Sequence, residues 1–430
     1  VNLPNDAPAA AGEPPPASAA PRPAAMRFIM ITVLIDMLSI GLIVPVLPLL
    51  VGTFTADATE RALWYGVVTF AFSLASFFGA PILGALSDRY GRRPVLLLGF
   101  CGLALNFFAT AFATALWMLI AVRMVGGAMQ ANAAVANAYV ADISSAEDRA
   151  KRFGQLGAMF GIGFMVGPVM GGLLGGIDLH LPFFVAGSLA LLNLLYGWKV
   201  LPESLPAERR RAFRWSAANP ITALARLGKL HGVGPLMVVI ALANLAQFVL
   251  YTVWVLYSTY RFDWGPRENG FSLLAVGIAS TLVQGFLLSR MLKRFGPQRL
   301  AVLGLISGSL AFLFWGLATE GWMMYAVIAL NLLGFAVTAS VQSIVSNAAD
   351  ARSQGETMGA VSSLASLMAV VAPVLGAPLM AAVSHLPQAD WRVGAPMYFC
   401  AALQAASVLI AIWHFARMRE AAALAKTSTP

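Results

Sequence analysis

The chain has 430 residues, of which 59% are apolar and only 11% charged, with a mean hydropathy of +0.77. A water-soluble domain carries about a quarter charged residues, so this composition excludes one. It implies a polytopic membrane protein, long enough for about 12 spans of roughly 20 residues. The net charge of +9 does not require nucleic acid, because cytoplasmic loops of membrane proteins collect Lys and Arg. The two cysteines, Cys101 and Cys400, lie inside apolar runs. They read as small buried hydrophobes, not as a disulfide or a metal site.

Residues 1–26 are rich in Ala and Pro, which predicts a disordered tail. No separate cleavable signal is expected, and the first apolar run is expected to serve as an uncleaved anchor. Span 1, at 27–50, contains Asp36 and should kink at Pro45 and Pro48. Spans 2 and 3 lie at 64–83 and 94–113. Between them stands Gly84-Ala85-Leu86-Ser87-Asp88-Arg89-Tyr90-Gly91-Arg92-Arg93, a loop short enough to make the two spans antiparallel neighbours. Gly84 is expected to end the helix under close packing, and Gly91 to form a tight turn at positive φ. Asp88 suits a helix end or an arginine partner, and Arg89, Arg92 and Arg93 hold the turn on the cytoplasmic side.

Span 4, at 115–140, carries Arg123, Gln130, Asn132 and Asn137 and ends at Asp142. Spans 5 and 6 follow at 154–176 and 181–200, completing an N-terminal half at 27–200. A linker at 201–234 opens Leu201-Pro202-Glu203-Ser204 and continues through Arg209-Arg210-Arg211. Within it, Asn219-Pro220 reads as an N-cap and first turn. Ile221, Leu224, Leu227 and Leu230 share one face, which predicts an interfacial amphipathic helix. Spans 7 to 12, at 235–258, 270–289, 299–318, 322–345, 357–382 and 394–415, make a C-terminal half at 235–415, and 416–430 is a tail.

With the amino terminus inside, the inner segments hold 23 of the 28 Lys and Arg, and the outer loops hold only Arg61, Arg261, Arg267 and Arg392. This asymmetry places both ends in the cytoplasm. The short loops point to a bacterial inner membrane. A repeat is also visible. Ser289-Arg290-Met291-Leu292-Lys293-Arg294-Phe295-Gly296 follows span 8 as the opening motif follows span 2. Aligning Gly296 with Gly91 puts Lys293 where Asp88 stands, so the second copy lacks the acid.

Asp36 is the one acid deep in an apolar segment, about 13 Å from the inner edge at 1.5 Å per residue. A carboxylate there is costly, so it must be protonated, paired or facing water. Arg123, about 12 Å from the outer edge, is at nearly the same depth. It is read as the counter-charge of Asp36. Span 5 contains Gly163, Gly167, Pro168, Gly171 and Gly172, a smooth face for close helix approach with a bend at the proline. Asp142 is expected to pair with Arg92 or Arg89. Polar and aromatic groups inside spans nominate a cavity with few fixed charges: Asn106, Asn137, Asn244, Gln247, Tyr251, Trp254, Gln284, Asn331 and Gln342. No catalytic triad, Walker loop or metal-ligand cluster is present, so no cofactor and no enzymatic step are implied.

The Gly84–Arg93 stretch resembles the signature loop of the major facilitator superfamily, where it is a gating latch. Arg123-Met-Val-Gly126-Gly127 resembles the family's fourth-helix motif, associated with proton transfer. Gly163-x-x-x-Gly167-Pro168-x-x-Gly171-Gly172 resembles the motif of its drug–proton antiporters. Leu34-Ile-Asp36, Gly41 to Pro48, Ala115-Leu-Trp117 and Leu201-Pro-Glu-Ser204 are similar to the tetracycline–proton antiporter group. The resemblance runs from about residue 27 to 415. It implies an all-α fold of 12 transmembrane helices in two pseudo-symmetric six-helix halves. It also implies export of a small amphipathic, drug-like compound in exchange for protons, by alternating access, from a monomer among membrane lipids. Asp36 and the latch residues carry over. Asn106, Thr281 and the Ile306-Ser307-Gly308-Ser309 stretch stand where that group has ionisable residues, which separates this chain from tetracycline as its set substrate. Two other readings remain open: a metabolite symporter or facilitator of the same fold, and a non-transporting membrane receptor.

Overall fold

The computed structural model describes residues 23–145, 147–213, 215–222, 234–348 and 354–427. The amphipathic helix expected over Leu224, Leu227 and Leu230 lies outside them. At its start, Asn219 Oδ1 accepts from the Ile221 N–H, as a capping asparagine does (2.9 Å).

Ten helices among the described residues are long and apolar enough to cross a membrane. One of them, Pro266–Leu317, has 52 residues. At 1.5 Å per residue that is about 78 Å, more than twice a hydrocarbon core of about 30 Å. It turns at Gly296, where φ is 72°, so it is two spans. Gly321–Leu330 and Gly334–Val345, bent by 54°, make one more. The result is twelve spans. In the first half, α1 is Pro23–Ile43 continued by Leu47–Gly52, α2 Ala58–Tyr90, α3 Arg92–Ala111, α4 Leu116–Ala128 and Asn132–Asp142, α5 Arg149–Gly175, and α6 Leu181–Val200. In the second half, α7 is Gly234–Phe262, α8 runs from Pro266 through a π-helical turn at Val283–Leu287 to the Gly296 bend, and α9 runs from there to Leu317. The last three are α10, Gly321–Leu330 and Val337–Ala348, then α11, Gln354–Ala381, and α12, Ala395–Thr427.

Several helices run past their predicted ends, because polar residues at a helix end can stay in water without unwinding it. Helix α1 starts at Pro23 within the expected tail. Helix α2 passes straight through Gly84, and a methyl group there would meet nothing within 4 Å. The helix therefore does not end under close packing at Gly84. It ends at Gly91, whose φ is 106° and whose N–H donates to the Ser87 carbonyl (3.1 Å). Gly91 and Gly296 are the two glycines at positive φ among the described residues. They occupy equivalent places in the two halves, and a side chain would be strained at either.

Bands of exposed apolar side chains mark the lipid-facing helices. Examples are Leu105 on α3, Leu192 on α6, Phe314 on α9 and Leu409 on α12. At the end of the molecule away from the latch, α7 closes on the α11–α12 connection. The buried guanidinium of Arg261 donates to the carbonyls of Ala318 (3.1 Å), Asp390 (2.7 Å) and Gln388. Beside it, the Arg392 side chain and backbone N–H hold the Asp390 carboxyl down at about 2.

The two halves meet at that same end. A methyl at Gly172 on α5 would lie 2.5 Å from the Pro266 carbonyl oxygen on α8, and one at Gly270 would lie 2.6 Å from that of Pro168. On the other side of the interface, Gly66 of α2 sits against Ala377 of α11. Toward the latch end the halves part. Gly154, Gly157 and Gly161 on α5 are exposed, and a methyl at each would meet nothing within 4 Å. The molecule is thus sealed at one end and has a cleft at the other. Gly270→Leu is expected to wedge the sealed end apart. Spin labels at the ends of α2 and α11 remote from the latch should then report a longer distance than in the parent protein.

Candidate functional site: a buried acid, a latch and a cleft

Asp36 lies on α1 with 2% of its surface exposed. Its one hydrogen-bond partner is Asn132, whose Nδ2 donates to Oδ1 at 2.9 Å. Asn132 is the first residue after the break in α4 at residues 129–131. The break re-aims the chain so that this amide meets α1.

Arg123 does not pair with Asp36, contrary to the expectation from depth. It lies on α4 before the break, buried, with its guanidinium 6.0 Å from the centroid of Phe72 on α2. Its Nε and Nη2 have no hydrogen-bond partner. Depth fixes a residue's height in the membrane but not the face of the helix it occupies. Asn106 is buried against Gly126, one turn below Arg123, and its amide oxygen is likewise unpartnered.

The latch is built around Arg92, the first residue of α3. Its guanidinium meets Asp88 at 2.6 Å, Asp142 at 3.0 Å and Ser87 Oγ at 2.7 Å. Arg89 is exposed and rests on Tyr90, so Arg92 alone meets Asp142. Arg93 donates to the Trp198 carbonyl (2.5 Å).

Glu203 completes this cluster, and sequence reasoning missed it. Its carboxylate accepts from the backbone N–H of Arg92 (2.8 Å) and Arg93 (3.2 Å), the exposed first N–H groups of α3. It also accepts from those of Ser204 and Leu205, both at 3.0 Å. A carboxylate here satisfies orphan donors and complements the helix dipole. Ser204 Oγ reaches Asp142 (3.3 Å), Tyr139 donates to the Pro202 carbonyl (2.9 Å), and the Arg211 N–H donates to the Asp88 carbonyl (3.0 Å). The start of the linker is therefore strapped onto the latch. The Leu-Pro-Glu-Ser run was the available signal, but nothing local ties it to a helix start 111 positions earlier.

The helix-5 glycines have two faces. Gly163, Gly167 and Gly171 back onto α1, where a methyl at Gly167 would lie 2.7 Å from Gly41 Cα. Gly172 and the Pro168 carbonyl face α8, while the Pro168 ring lies against Gly41 of α1.

The nominated cavity residues separate. Asn106 and Trp254 are inside their own halves rather than at the cleft. Trp254 is buried, donates to Ser272 Oγ (3.0 Å) and packs edge-on against Trp315. A tryptophan N–H in an apolar span finds an internal partner, which turns the ring inward. Asn137, Tyr251 and Gln284 are exposed, and Gln247 is half-buried. Asn137 donates back to Ala133 (2.8 Å), and Gln284, in the π turn, to Ser280 (2.7 Å). Asn331 lies in the break of α10 and accepts from Ser307 (2.9 Å). Asn244 and Gln342 line one cavity of about 240 Å³ among α7, α10 and α11.

The family profile of the Major Facilitator Superfamily matches residues 29–373. The chain is 38% identical over 379 residues to the tetracycline resistance protein, class C, of Escherichia coli, spanning 87% of this chain and 94% of that one. It is 34% identical over 370 residues to the class D protein of Salmonella ordonez, spanning 86% and 93%. It is 29% identical over 357 residues to the human hippocampus abundant transcript 1 protein, spanning 80% and 71%. Among solved structures, the fold is similar to that of the human organic anion transporter MFSD10 (TM-score 0.67, 22% identity, 90% of this chain and 99% of that one). It is also similar to that of the nucleoside transporter NupG (TM-score 0.70, 15% identity, 91% and 98%). Identities this low speak for the fold alone.

Removing the Glu203 cap should cost about 1 kcal/mol, the usual scale for a lost N-cap. Glu203→Gln should lower the thermal midpoint in detergent by about 2–4 °C. Gly91→Ala should cost more than Gly296→Ala. Both strain the backbone by about 1–3 kcal/mol, but only at Gly91 does the added methyl run into Glu203. Melting curves of the three variants rank them.

Proposed function

The chain belongs to the Major Facilitator Superfamily, a family of transporters and not of enzymes, and we propose that it is a proton-coupled exporter of small amphipathic compounds working by alternating access. The observation that carries the reading is Asp36: an acid buried in an apolar span whose one partner is a neutral amide. No cation holds it ionised, and an amide can donate to a carboxylate or, turned over, accept from a carboxylic acid. Such a group can take and give up a proton as the surrounding helices shift.

Three further features support the reading. The halves are sealed at one end and parted at the other, the geometry that rocking between two states requires. The charge bias of the loops supports a cytoplasmic latch, and in this reading the cleft opens inward and a compound enters from that side. Helices α4 and α10 are broken at corresponding places in the two halves, and the breaks carry Asn132 and Asn331. Interrupted helices in matching positions mark transporter binding regions. The latch, strapped by Glu203, belongs to the N-terminal half as a rigid unit. Relatives named as tetracycline resistance proteins support an antibiotic-like cargo and a bacterial inner membrane with both ends inside.

Proton release on ligand addition tests this. Purified protein in weakly buffered detergent is given a panel of drugs, tetracycline included. The parent protein should release protons with at least one of them, while Asp36→Asn should bind that compound and release none. A compound that binds without proton release from either protein would replace antiport with facilitated passage.

A further inference from the structure

The turn between α8 and α9 repeats the latch turn between α2 and α3 but not its charges. With Gly296 set on Gly91, Leu292 stands in the place of Ser87, Lys293 in that of Asp88 and Pro297 in that of Arg92. The arginine at the centre of the first cluster, one of its acids and its hydroxyl partner are thus all missing from the second. What remains is cationic. Arg290, Lys293, Arg294 and Arg299 lie within ten residues, and all four are exposed. None has an ion-pair partner among the described residues. Arg290 donates to the Phe286 carbonyl of its own helix (3.3 Å), and Arg294 rests on the neighbouring Phe295 ring. Lys293 and Arg299 make no side-chain hydrogen bond among the described residues.

These cations stand at the edge of an apolar surface. On α9, Ile306, Leu310, Leu313 and Leu317 are exposed. They follow Arg299 at intervals of 7, 11, 14 and 18 residues, which at 3.6 residues per turn puts all five on one face. From Arg299 to Leu317 this stripe is about 27 Å long at 1.5 Å per residue, close to a hydrocarbon thickness of about 30 Å. With the stripe in lipid, Arg299 is at the headgroup level of one leaflet. On α8, Arg290, Lys293 and Arg294 share a face by their spacing, and the exposed Leu282 and Phe286 precede them by one to two turns.

We infer that the α8–α9 turn is a binding site for an anionic phospholipid, whose phosphate meets Lys293 and Arg299 and whose acyl chains lie along the exposed stripe of α9. The phosphodiester supplies to the second half the negative charge that Asp88 and Asp142 supply to Arg92 in the first. Charge selects the lipid class, because a zwitterionic headgroup brings its own cation and leaves the four side chains without a net counter-charge. The apolar stripe selects a lipid over a water-soluble anion, since only an amphiphile covers both surfaces. The assignment needs the membrane-spanning fold but not proton coupling at Asp36, so either can fail without the other.

Native mass spectrometry of the full chain, stripped of lipid in detergent, tests the site. Dioleoylphosphatidylglycerol and dioleoylphosphatidylcholine share their chains and differ in net charge, and each is titrated separately. The parent protein should bind its first phosphatidylglycerol about tenfold more tightly than its first phosphatidylcholine. Lys293→Gln/Arg299→Gln should weaken phosphatidylglycerol binding about twentyfold, at roughly fivefold per lost cation, and leave phosphatidylcholine within about twofold. Arg149→Gln/Lys151→Gln removes two exposed cations from the latch end of the first half and should leave both affinities within about twofold. Glycerol 1-phosphate in large excess should not displace the lipid. A monodisperse elution profile and an unchanged thermal midpoint certify that each variant is folded. Equal losses in the two double variants would reduce the preference to general charge attraction and overturn the site. So would a parent protein with no preference for the anionic lipid. Displacement by glycerol 1-phosphate would overturn the lipid assignment in favour of a site for free phosphate esters.

Discussion

Close backbone contact along α5 is the constraint from which the rest of the architecture follows. In hydrocarbon there is no hydrophobic drive between helices, so association depends on how nearly two backbones can approach. Glycine at every fourth position lets α5 lie directly on α1 at Gly41. The neighbouring face, Pro168 and Gly172, lies equally close to Pro266 and Gly270 of α8. One helix therefore belongs to its own half and seals it against the other. The close contacts with α8 run from Gly176 as far as Met165, whereas a methyl at Gly154, Gly157 or Gly161, nearer the latch, would meet nothing within 4 Å. A side chain larger than hydrogen on either face would separate α1 from α5, or one half from the other, and the two effects are separable by position.

The two halves repeat one plan but are not equally braced. Gly91 and Gly296 turn the chain at the same point of the repeat. In the first half the turn is enclosed by Arg92, Asp88, Asp142, Ser87 and the Glu203 carboxylate. In the second, Gly296 has open space around it, and Lys293 stands where the first half has its acid. The linker adds to the asymmetry, since residues up to Arg211 are hydrogen-bonded to the first half. Isolated surface ion pairs contribute little. A cluster in which one buried arginine meets two acids and a hydroxyl, with a helix start capped beside it, is a different case, because removing one member leaves others unpaired. The N-terminal half is thereby more heavily braced at its Gly91 turn than the C-terminal half is at Gly296.

Much of this was legible in the sequence because hydrocarbon imposes strong local rules. Apolar runs located the spans, and the Gly91 and Gly296 motifs the repeat. Helix ends were less legible. Nothing in composition forbids α2 from continuing through Gly84 to Tyr90 once it has left the bilayer. The breaks in α4 and α10 contain no proline and were not foreseen. They answer to partners from distant segments, Asn132 to Asp36 and Asn331 to Ser307. Glu203 was hidden for the same reason. Its four backbone partners include two that lie four spans earlier in the chain, at the start of α3. Trp254 and Asn106 were placed at the cleft on chemistry alone, whereas the direction of each side chain is set by neighbours on α8 and α4.

The separation of Asp36 from Arg123 has a consequence for coupling. Had the two formed an ion pair, protonating the acid would have stranded a buried cation, and each would have stabilised the other's charge. Instead the acid rests on a neutral amide and the guanidinium on an aromatic face. Each charge can then change its surroundings without the other paying for it. The α4 break lies between Arg123 and Asn132, so a shift at residues 129–131 moves the amide partner of Asp36 relative to Arg123. The acid's immediate environment is thus set at a break in α4 whose counterpart in the other half is the break in α10. In the proposed exchange cycle, a proton taken up at Asp36 would therefore act beside an interruption that the repeat supplies in both halves.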